Sequence, residues 1–195
     1  MSMKNSYIGQ AWLVIALSVC FAAALAAVEA QLGPKIKENK LAATREQIPL
    51  LVPGAKDSRP YSSGAGQTVY KALDGDHGHV GWVVPAVGQG FADKIELLIG
   101  LGPEAKVITG VYILDQKETP GLGNKITEEE FLKWFVRQDA LRPLKVVKRG
   151  AVAGQSQVQG VTGATISSTS VCDIVNRAVV EFRKVEWLPG NSHAE

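Results

Sequence analysis

Thiols and imidazoles are scarce in this chain, which holds two cysteines and three histidines. Cys20 falls in an apolar run and Cys172 in a carboxy-terminal amphipathic stretch, so neither a disulfide framework nor a thiolate cluster for iron-sulfur or zinc can be assembled from them. His77-Gly78-His79 brings two histidines together without a third ligand beside them, the pattern of a loop rather than a metal site. The dinucleotide and P-loop glycine patterns are absent, so no motif in this chain marks a site for NADH or ATP. No Ser-His-Asp or paired-carboxylate arrangement for hydrolysis is visible. A net charge of +2, with its bases scattered, gives no stripe for nucleic acid. Repeats and low-complexity tracts are also missing.

Charge is missing altogether between Tyr7 and Val28, and that absence is a positive signal. As a helix these residues would span roughly 33 Å, against a hydrocarbon core of about 30 Å. A cleaved signal peptide, with Lys4 as its charged region and Ala22, Ala24 and Ala26 as a cleavage pattern, is the alternative. The run exceeds the usual apolar region of such peptides, which favours an uncleaved transmembrane anchor over 7–28 behind a short tail, 1–6. Lys35, Lys37 and Lys40 follow the span and only Lys4 precedes it, so the charge count alone favours a cytoplasmic domain.

The rest of the 195 residues, 46% hydrophobic and 21% charged over the whole chain, fit one globular domain. Pro34 to Gln47 reads as a second, solvated helix stopped by Pro49, and Lys56 to Gln67 as a loop, together a stalk over 29–67. Within 68–187, runs rich in Val, Ile and Tyr at Thr68–Leu73, Val80–Val87, Lys94–Ile99, Val107–Leu114 and Leu144–Val147 predict a mostly antiparallel sheet. Glu128 to Arg137 reads as a helix with a Thr127/Glu130 capping box. A second amphipathic helix begins near Ile166, its apolar stripe being Val171, Ile174, Val175, Ala178, Val179 and Phe182. Helices covering one face of such a sheet make an α+β domain, and 188–195 is a polar tail.

Two stretches carry the chemistry. Thr162-Gly163-Ala164-Thr165-Ile166-Ser167-Ser168 joins a glycine turn to the final helix, where unpaired N–H groups and a partial positive charge suit an anion. Read alone, the stretch favours a plain N-cap at Thr165 or Ser167, with Gly160 and Gly163 merely shaping a turn. Glu118-Thr119-Pro120-Gly121-Leu122-Gly123 fits a type II turn that holds Leu122 outward, in need of something flat to cover it.

Together these stretches resemble the FMN-binding domain family found in the G subunit of the Rnf complex and the C subunit of the sodium-pumping NADH:quinone reductase. The resemblance runs from about Gly88 to Arg183. It departs at Gln159, where members usually have an acidic residue, and at Gln116, where many have His. The resemblance implies FMN joined to Thr165 as a phosphoester. Thr162, Gly163, Ala164 and Ser167 would surround the phosphate, and Glu118, Thr119, Leu122 and Gly123 would line the ring. It further implies a flavin transferase for maturation, membrane and redox subunits of an Rnf complex as partners, and ferredoxin:NAD⁺ electron transfer coupled to Na⁺ or H⁺ movement. A single-pass protein of the cytoplasmic membrane is implied, with the 1–6 tail in the cytoplasm and the flavin domain on the extracytoplasmic side. The equivalent component of the quinone reductase, or an unflavinylated assembly module of the same fold, are the alternatives.

Overall fold

The computed structural model describes residues 7–62, 68–152 and 154–184, with side chains from residue 11 onward. The expected tails at 1–6 and 188–195 lie outside the described residues. The chain divides into two compact units, Met1–Ala42 and Ala43–Glu195.

Helix α1 (Tyr7–Leu51) is continuous through both prolines, so the expected break before Pro34 and stop at Pro49 do not occur. Each proline removes one N–H from the ladder. Pro49 does so in the last turn, where the helix is ending anyway. The chain leaves at Gly54, whose φ of 89° suits glycine. The apolar run of α1 qualifies by length and composition to cross a membrane.

In the second unit, strands β1 (Asp57–Ser62), β2 (Thr68–Leu73), β3 (His79–Gln89), β4 (Lys94–Leu101), β5 (Val107–Asp115) and β6 (Gln138–Asp139) form one antiparallel sheet in chain order. β1 replaces part of the expected loop. It is an edge strand, where Pro60 can lack its N–H without breaking the ladder. The expected fifth strand, β7 (Lys145–Val147), lies outside the main sheet and pairs in parallel with β8 (Gln157–Gln159).

The expected helix 128–137 is also shorter. A 3₁₀ turn at Gly123–Thr127 precedes α2 (Glu129–Leu132), and another 3₁₀ turn follows at Lys133–Phe135. No capping box forms, because Thr127 Oγ1 donates to Asn124 O at 2.9 Å and Glu128 makes no side-chain cap bond. The buried Gln138 amide then donates to Trp134 O at 2.8 Å, taking a carbonyl that a longer helix would use.

Alternation along the strands sends side chains to two cores. Trp82, Val84, Leu97, Ile99, Val111 and Ile113 face one side with α3 (Thr165–Lys184), which buries Val171, Ile174, Val175, Ala178, Val179 and Phe182. Each of the larger of these buried side chains, valine and upward, contributes about 1.5–3 kcal/mol. Tyr70, Ala72, Val83 and Leu98 face the other side, where Ile48, Leu51 and Val52 at the end of α1 cover them. Both faces are therefore covered, where the strand pattern alone suggests one. Glycine permits the second packing: a Cβ on Gly100 would stand 2.7 Å from Leu51 O, and one on Gly110 3.2 Å from Leu51 Cδ2.

Candidate functional site

The two motif stretches meet where α3 begins. Thr119 to Leu122 is the expected tight turn, with Gly121 at φ 77° and Leu122 N donating to Thr119 O at 3.2 Å. Leu122 stays 48% exposed, and a Cβ on Gly163 would lie 3.1 Å from its Cδ2. A cleft of about 290 Å³ opens between these segments, lined by Glu118, Thr119, Leu122, Gly123, Gly163, Ala164, Thr165 and Ser167, and also by Phe91 and Ile166. Gly163 and Thr165 also line a second cleft of about 720 Å³, which includes Thr162, Thr169, Lys148 and Arg149. Of the expected site residues, Thr162 alone is absent from the first cleft. Exposed Lys125 lines neither.

Glu118 holds the first cleft together. Although only 4% exposed, it accepts from Phe91 N at 2.9 Å and Ala92 N at 3.1 Å through Oε1, and from the Ser167 hydroxyl at 2.6 Å through Oε2. Its own N–H donates to Gln116 Oε1 at 2.6 Å. One carboxylate thus ties the β3–β4 turn to the first turn of α3, and charge-assisted bonds of this kind are among the strong ones. Gly123 leaves room for it: a Cβ there would stand 2.8 Å from Glu118 Cβ and 3.0 Å from Ser167 Oγ.

The hydroxyls opening α3 divide sharply. Ser167 donates to Glu118, Ser168 to Ala164 O at 2.9 Å, and Thr169 to Thr165 O at 2.9 Å. Thr165, the first helical residue, is exposed, and its hydroxyl makes no hydrogen bond among the described residues. Ala164 before it has no side chain with which to cap the helix, so the first N–H groups remain available to an anion. Thr165 is therefore not the N-cap, and Ser167 is turned inward. The residues fit a phosphate-bearing flavin: a partly apolar cleft for a ring, with a free hydroxyl and uncapped donors beside it.

Phe91, Ile166, Lys148 and Arg149 are cleft residues that motif reading missed. Phe91 and the Lys148-Arg149 pair reach the clefts from other loops, and no local spacing marks them. Ile166 sits inside a motif, yet nothing in its spacing separates it from the core positions of α3. It is 59% exposed.

The FMN-binding domain family matches residues 90–180. The chain is 31% identical over 173 residues to the G subunit of the ion-translocating oxidoreductase complex of Methanosarcina acetivorans, covering 85% of this chain and 89% of that protein. It is 30% identical over 155 residues to the G subunit of the proton-translocating ferredoxin:NAD(+) oxidoreductase complex of Clostridium ljungdahlii, covering 80% of each. The fold is similar to that of the C subunit of the Na(+)-translocating NADH-quinone reductase of Parabacteroides distasonis, with TM-score 0.56 and 22% identity over 67% of this chain and 77% of that one. With relatives along most of its length and one helix that by length and composition could cross a membrane, the chain belongs to the family of G subunits of ion-translocating oxidoreductase complexes, single-pass membrane proteins carrying an FMN-binding domain.

Proposed function

We propose that this chain is the electron-carrying G subunit of an Rnf-type complex, with FMN joined to Thr165 through a phosphoester installed by a flavin transferase. The observation that carries this reading is the state of Thr165. Its hydroxyl is the one left unengaged among Thr165, Ser167, Ser168 and Thr169, and it stands where both clefts meet. The uncapped start of α3 favours the negative charge of a diester there, and Lys148 and Arg149 line the adjoining cleft. Leu122, Phe91 and Ile166 offer apolar surface to the ring, while Glu118 keeps the loops that carry them in register. FMN, when bound, supplies one- and two-electron transfer, and the protein tunes it through nearby hydrogen bonds and charge.

The other redox and membrane subunits of the complex are the partners. The family's layout supports a flavin domain on the extracytoplasmic side, although Lys35, Lys37 and Lys40 count against it. Full-length protein from its native membrane tests the attachment. The denatured band should fluoresce and weigh one FMN adduct more than the polypeptide, Thr165→Ser should keep some adduct, and Thr165→Val should have none. A fluorescent Thr165→Val band, or a wild-type mass equal to the bare chain, would refute the tether.

A further inference from the structure

The cleft beside Thr165 has one aromatic wall that neither motif supplies. Phe91 stands at the β3–β4 turn and lines the cleft with Leu122 and Ile166, yet its side chain is 60% exposed. Its backbone, by contrast, is tied down. The N–H groups of Phe91 and Ala92 both donate to Glu118 Oε1, and Gly90 N donates to Asp93 O at 2.8 Å. Gly90 lets this turn close, because a Cβ there would stand 2.7 Å from Asp93 O and 2.8 Å from Ile95 Cδ1, and would collide with Glu118 Oε1. A buried carboxylate therefore fixes the backbone that carries a phenyl ring left open to water.

Resting on the flavin reading of this cleft, we infer that Phe91 is a cofactor-binding residue whose ring packs on the isoalloxazine, with Leu122 as the aliphatic contact. The volume of about 290 Å³ is at the low end for a small-molecule pocket. It suits a ring system rather than a whole nucleotide, whose tail then runs toward Thr165. Offset aromatic pairs contribute beyond the area they bury, and covering Phe91, Leu122 and Ile166 with one flat ring removes apolar surface from water. Phe91 thereby governs how much of the ring water and small solutes can reach. No local sequence signal marks it, because the carboxylate that positions it is 27 residues away.

The test uses the full chain with its covalent flavin, purified in detergent, with the adduct verified by mass in every sample. An indole quenches flavin emission when the two rings touch, so Phe91→Trp should lower emission severalfold and shorten its lifetime. Val180→Trp, on an exposed position of α3 beside Leu141 and Pro143, should emit as wild type does. Phe91→Ala should raise quenching by iodide. If Phe91→Ala does not acquire flavin, Phe91→Trp, which keeps an aromatic ring, decides the matter. Emission from flavinylated Phe91→Trp equal to that of wild type overturns the inference. Absence of the adduct from wild-type protein would instead remove the flavin reading beneath it.

Discussion

A single buried carboxylate joins two of the segments that line the cleft. Replacing Glu118 with Ala strands two backbone N–H groups and the Ser167 hydroxyl, and should lower stability by about 2–4 kcal/mol, measured by denaturant unfolding. Glu118→Gln should lose less, since its amide retains an oxygen for the backbone donors and an NH₂ group that can donate to Ser167. Cys172 supplies a second residue-level expectation. Burial, and then the negative charge of Asp173, push its thiol from 9.0 up to about 12. The folded chain favours the protonated thiol, so this contribution is complete below pH 9 and is lost as pH rises toward 12. Folded protein at pH 8 should therefore resist alkylation at Cys172, as peptide mapping would report. Glu118 is recognisable in the sequence by its place in a motif, but its structural task is not. Its partners lie 26, 27 and 49 residues away, and no periodicity spans such gaps.

Elements were legible in proportion to how local their causes are. Strands β2 to β5 declare themselves by alternating branched residues, and α3 by its apolar stripe, because each pattern reports a face meeting a core. β1 has no such stripe. Its pairing with β2 comes from the sheet beside it, and Pro60 disguises it further. The 128–137 segment fails for a related reason: the buried Gln138 amide donates to Trp134 O, a carbonyl the helix would use, and to Gln157 O, 19 residues further on. The packing of α1 against β4 is equally invisible, since it depends on what Gly100 lacks. Gly100→Ala places a methyl 2.7 Å from Leu51 O, a backbone atom with little freedom to retreat. It should cost about 1–3 kcal/mol, read as a lowered Tm.

At the scale of the whole molecule, the division after Ala42 separates a membrane-compatible helix from a domain that includes the final turns of α1. A chain beginning at residue 43 should fold without detergent and unfold at the temperature shown by full-length protein. A chain beginning at residue 56 loses Ile48, Leu51, Val52 and Ala55 from the second core. With about 2–5 kcal/mol at stake for each large aliphatic side chain removed, it should be largely unfolded by circular dichroism.

The meander has a further consequence, for the order of assembly. Every strand of the large sheet pairs only with its neighbour in sequence, so short loops close first and the sheet can form quickly. The latch between Glu118 and Ser167 must wait for the last helix to arrive across 49 residues. Hydrogen exchange should find β3 and β4 protected while the 90–92 and 118–123 segments still open, which makes the cofactor's berth the final part of this domain to set.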